Sequence, residues 1–118
     1  MSINAEMRGR VYAKCGGRCA YCGAAMIRPD MHVDHIHPQY ALGEDDFENL
    51  NPSCRPCNNF KAVWSLEQFR HELSKQVERC RQYSVNFRNA ERFGLVTVIS
   101  SQIVFYFERS AGDKHVPG

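Results

Sequence analysis

The sequence predicts a single α+β domain clamped by zinc, on three observations. Six cysteines include two matched pairs, Cys19/Cys22 and Cys54/Cys57. A short β-branched segment lies between the pairs, and an amphipathic helical stretch follows them. At 118 residues, 43% of them apolar, the chain can build one modest core but not two. A unit of that size gains from a staple, because its core alone leaves a small stability margin. We therefore expect one domain over residues 1–118, with a core at about 18–64 and an extension over 65–109.

The elements follow in chain order. Met7, Val11 and Cys15 recur every fourth residue, so Asn4 to Lys14 reads as a helix closed by Gly16-Gly17. Arg18-Cys19-Ala-Tyr-Cys22-Gly23 is a tight knuckle. Met31 to Ile36 reads as a strand stopped by Pro38, and Gln39 to Asn51 as a loop. Cys54-Arg-Pro-Cys57 is the second knuckle, with a short helix opening at Asn58 to Lys61. Ser65, with Gln68 three residues on, starts the clearest helix; its apolar stripe is Leu66, Phe69, Leu73, Val77 and Cys80. Asn86 to Phe93 reads as a further helix with Gly94 past its end. Leu95–Ser100 and Ile103–Glu108 read as a hairpin, with Phe105 and Phe107 in its core. The tail, 110–118, reads as disordered.

Two Cys-x-x-Cys knuckles supply four thiolates for one closed tetrahedral zinc site. Thirty-one residues separate Cys22 from Cys54, more than the roughly 15–20 of a zinc ribbon, so the intervening segment must fold by itself while the metal ties its ends. Cys80 belongs to the apolar stripe. Cys15 is either a substitute ligand or a small buried side chain.

Residues 1–10 are polar, without the apolar run of a signal peptide, and nothing approaches a membrane span. We expect a cytoplasmic, reducing setting, where paired cysteines favour metal over disulfides. The net charge of +2 is too small to identify a polyanion partner. Its segregation is more telling. Arg8, Arg10, Lys14, Arg18 and Arg28 cluster toward the amino terminus, and Glu44, Asp45, Asp46 and Glu48 form an acidic run.

Between and beside the knuckles stand Val33-Asp34-His35-Ile36-His37-Pro38, Glu48-Asn49-Leu50 and Cys57-Asn58-Asn59-Phe-Lys61. This ordered set resembles the HNH endonucleases, and within them the four-cysteine branch found in phages and prophages. The resemblance covers Arg18 to about Lys61. It implies a ββα-metal core, Asp34 and Asn58 as ligands of a catalytic divalent ion, His35 as general base, and Asn49 as the brace that aims His35. One departure is visible: the family's glycine pair after the Asp-His segment is replaced by Leu42-Gly43-Glu44.

The chemistry asks for the same residue types. Phosphodiester hydrolysis needs an activated water and an electrophile for the developing charge. A carboxylate and an amide carbonyl suit Mg²⁺ or Mn²⁺, and a neutral histidine accepts a proton near pH 7. His37, Lys61, Arg55 and Tyr40 are candidate phosphate contacts, and Trp64 reads as a core plug. The expected function is a metal-dependent endonuclease acting on duplex DNA, with phage or prophage assembly partners implied by the resemblance. The alternative is a non-catalytic zinc module that binds nucleic acid or protein.

Overall fold

The computed structural model describes residues 3–38 and 45–109. The chain divides into two compact units: residues up to Leu66 together with the segment from Val104, and Glu67–Ile103. The expected tail disorder, Tyr40 and the Leu42-Gly43-Glu44 departure lie outside the described residues. Among the described residues, no helix is long and apolar enough to cross a membrane.

In the first unit, helix α1 (Ala5–Lys14) starts where the Asn4 side chain accepts from Met7 N at 2.8 Å. Its buried face is Val11, which joins Met31 and Leu50 in a small core flanked by Met7, Met26, Val33 and Phe47. Strand β1 (His32–His35) pairs antiparallel with β2 (Leu50–Ser53), placing Asp34 opposite Asn51 and His35 opposite Leu50. Helix α2 (Arg55–Lys61) then packs against β1.

Two expectations change here. Residues 50 and 51 are strand, not loop. Pro52 tolerates this because a two-stranded sheet has outer edges where a missing N–H costs nothing, and its carbonyl accepts from Ala20 N at 2.8 Å. The amino-terminal cations also serve the fold itself. Lys14 Nζ donates to the Phe47 and Leu50 carbonyls at 3.0 and 2.6 Å, Arg8 to Met31 O, Arg18 to Gly23 O and Arg28 to Ala5 O, while Arg10 lies over the Phe47 ring.

The second unit holds most of α3 (Leu66–Ser74), together with α4 (Gln76–Tyr83) and α5 (Val85–Arg92). The single long helix expected from Ser65 is broken at Lys75. The Ser74 hydroxyl donates to His71 O at 2.6 Å and the Gln76 amide to Glu72 O at 2.9 Å, so side chains take up carbonyls of the last turn of α3. Of the predicted stripe only Phe69 is fully buried, and Cys80 is exposed rather than core. Ion pairs tie these helices together, Glu72–Arg79 at 2.7 Å and Arg81–Glu91 at 2.6 Å.

The hairpin is absent from residues 95–108. The second of its expected strands spends its backbone elsewhere: Tyr106 N donates to Tyr21 O at 3.1 Å and Phe107 N to Ala20 O at 2.8 Å, both from within a 3₁₀ turn over Tyr106–Glu108. Phe105 and Phe107 stand edge-on to the Tyr21 ring, so they cover the first knuckle instead of a hairpin.

Candidate active site and metal centre

Gly23 adopts φ +80° at the turn of the first knuckle, and there the Tyr21 and Ala24 amides donate to the Cys19 and Cys22 sulfurs at 3.4 and 3.5 Å. The second knuckle is the Cys54 cap and first turn of α2. Ligand atoms of Cys19, Cys22, Cys54 and Cys57 all lie within 4.8 Å of one another. Cys22 Sγ and Cys54 Sγ are 3.7 Å apart, close to the ~3.8 Å edge of a tetrahedron with ~2.3 Å zinc–sulfur bonds. The four cysteines are thus arranged for a structural zinc. The thiols perturb one another strongly: hydrogen bonds from Cys22 and then Cys57 drive the Cys19 pKa far down, and burial pushes Cys54 up to about 11. Cys15 is a small buried side chain outside this cluster.

Tyr21, between the first two cysteines, carries the cysteine-cluster end of the fold into the strand. Its buried hydroxyl donates to Asp34 Oδ2, and Asn51 Nδ2 donates to the same hydroxyl at 3.4 Å. From the other side Lys61 Nζ approaches Asp34 Oδ1 at 3.2 Å, Asp34 Oδ2 at 3.1 Å and the His35 carbonyl at 3.0 Å. Burial raises the Asp34 carboxyl above the ordinary carboxylate value, while the Tyr21 hydrogen bond and the Lys61 charge oppose that rise. Burial, reinforced by Asp34, also raises the Tyr21 hydroxyl well above its usual value.

Asp34, His35 and Asn58 line one cleft of about 330 Å³, walled by Val33, Pro38 and Val63. Residues 24 positions apart meet because α2, which carries Asn58, packs on β1. His35 Nε2 lies 2.6 Å from Asp45 Oδ1. Asn49 clamps the chain beyond: its Oδ1 accepts from His37 N at 2.8 Å, its Nδ2 donates to His37 O at 3.2 Å, and its carbonyl accepts from Ile36 N.

The remaining candidates scatter. Lys61 is buried and paired, so it is not an exposed phosphate contact. Arg55 lines a separate cleft of about 450 Å³ with Asp30, His32 and Cys54. His37 is exposed, and Trp64 is half-buried, edge-on to Phe60 at 5.5 Å. Tyr21 and Asp45 escaped the sequence reading. Tyr21 had a signal in its place inside a metal knuckle, whereas Asp45 was one carboxylate in an acidic run.

Residues 19–62 match the family model of the HNH endonucleases, which implies a nuclease-type activity and a nucleic-acid partner. No curated protein matches the chain significantly.

Proposed function

We propose that the chain is a DNA endonuclease whose active centre is the cleft of Asp34, His35 and Asn58. The supporting observation is their convergence on that one cleft, from β1 and from α2, whose Cys54 cap and Cys57 belong to the cysteine cluster. The donor set fits a hard divalent ion, since Asp34 offers a carboxylate and Asn58 an amide carbonyl. Bound Mg²⁺ or Mn²⁺ supplies neutralisation of charge on the phosphate and the leaving oxygen.

The chain's own residues do the rest. Asp45 accepts the Nε2–H of His35, which fixes the tautomer and leaves Nδ1 to take the proton of the attacking water. Asn49 holds the backbone after His35, so the imidazole keeps its aim. Tyr21 and Lys61 hold Asp34 in place from beneath. His37, exposed two residues beyond the base, is a candidate contact for the scissile phosphate. Duplex DNA is the expected substrate, with weak intrinsic sequence preference, because no described element reads as a major-groove helix.

The test is plasmid nicking by zinc-loaded protein, with and without added Mg²⁺ or Mn²⁺, for wild type and His35→Ala. We expect cleavage that depends on the added ion, and a loss of about 10²–10⁴ in rate for the variant with DNA binding retained. Wild-type cleavage by His35→Ala would remove the base assignment. Binding without cleavage in either protein would make a non-catalytic zinc module the better account.

A further inference from the structure

The proposed chemistry makes no direct use of Lys61, yet its side chain is only 1% exposed. Its ammonium contacts both oxygens of Asp34 and, in addition, the His35 carbonyl. The carboxylate offered to a divalent cation therefore already carries a monovalent one. The cluster around the cleft of Arg81, Arg88 and Arg92 is spent by contrast: its guanidiniums bond Glu91, the Arg81 and Gln82 carbonyls, and Asn89.

We propose that Lys61 is the resting counter-ion of Asp34 and that a divalent ion binds in competition with it, so that Lys61 sets the metal concentration at which the site fills. This rests on the reading of Asp34 as a metal ligand. Without the ion, the pair compensates a carboxylate that burial would otherwise penalise, so the site is kept formed while empty. With the ion, the ammonium has a second acceptor in reach: it can yield a carboxylate oxygen and keep the His35 carbonyl. The cost of that displacement is paid from the metal's affinity. A cation within ~4–6 Å lowers a carboxylate's proton affinity by about 10- to 1,000-fold, and a divalent ion meets the same repulsion with twice the charge.

The test is calorimetric Mn²⁺ binding to zinc-loaded wild type, Lys61→Met and Asp34→Asn, with zinc content and circular dichroism confirming each fold. Lys61→Met should bind Mn²⁺ at least about tenfold more tightly, and Asp34→Asn should lose the site. Equal or weaker binding by folded Lys61→Met, with Asp34→Asn still defective, overturns the competition and leaves the Asp34 reading standing. Undiminished binding by Asp34→Asn overturns both. Lys61→Met strands a buried carboxylate, so a second measurement uses wild type alone. On Mg²⁺ titration, the NMR signal of the Lys61 Cε methylene should shift to saturation together with the Asp34 and Asn58 amides. A Lys61 signal that stays fixed while those amides move overturns the proposal.

Discussion

The two units of this chain hold short elements in place by opposite means. In the first, strands of four residues and a helix of seven are tied by bonds that span the sequence. Lys14 reaches Leu50, Tyr21 reaches Asp34, Lys61 returns to the same carboxylate, and the cysteine pairs close the ends. In the second unit the side-chain bonds described are mostly local, Arg70 to Glu67, Ser74 to His71, Gln76 to Glu72 and Arg81 to Glu91, with Arg70 to the Ile103 carbonyl as a long-range exception. Tyr83, Phe93, Leu95 and Ile99 are each more than 70% exposed there. One unit is a cross-linked knot that holds or fails as a whole; the other is a run of helices whose contacts can open singly.

Zinc removal should break that contrast most visibly. Because apparent zinc-binding free energies of about 10–16 kcal/mol are folding free energy, chelation, or serine at any of Cys19, Cys22, Cys54 and Cys57, should unfold β1, β2 and α2. The local bonds of α4 and α5 should survive. Residue-resolved hydrogen exchange checks this. Equal loss of protection in both units would show that the second has no stability of its own.

Next in size is the buried pair. Lys61→Ala leaves Asp34 uncompensated at 5% exposure, and breaking such a pair costs about 3–5 kcal/mol. Chemical denaturation of zinc-loaded protein should show that loss in the first unit. A change under about 1 kcal/mol would mean that Asp34 relaxes to water and that the network is not structural. A smaller gain is expected at Ala62, which ends α2 with φ +46° and ψ −116°, a region costly for a residue with a Cβ. Ala62→Gly should stabilise the unit by about 1 kcal/mol, read in the same denaturation; a destabilisation would show that the Cβ contact outweighs the strain.

What was legible in the sequence divides by chemistry rather than by unit. Zinc chemistry demands one residue type at one spacing, so Cys19, Cys22, Cys54 and Cys57 declared themselves. The Asp34, His35, Asn49 and Asn58 pattern did so through its resemblance to a family. Elements defined by what they pack on did not. Leu50-Asn-Pro-Ser53 has the composition of a turn and is a strand only because β1 and the first knuckle flank it. Lysine is almost never fully buried, so nothing local distinguished Lys61 from a phosphate contact. In the second unit the apolar period located helices but could not reveal that Ser74 and Gln76 would take up the carbonyls of α3.

The smallest effect sharpens the comparison from the other side. Glu72 and Arg79 pair at 2.7 Å across the break between α3 and α4, and the Arg79 hydrogen bond lowers the Glu72 pKa below its ordinary 4.5. A carboxylate whose folded pKa is depressed adds stability above its unfolded pKa and loses it as pH falls through the lower folded value. The pair is solvated, so its contribution is small and local. Glu72→Gln should therefore weaken hydrogen-exchange protection of the α3 and α4 amides slightly at neutral pH, leave the amides of β1 and β2 unchanged, and match wild type once the pH falls well below about 4. Reduced protection in β1 or β2 would mean that the helical unit is coupled to the knotted one after all, and that its bonds do not open singly.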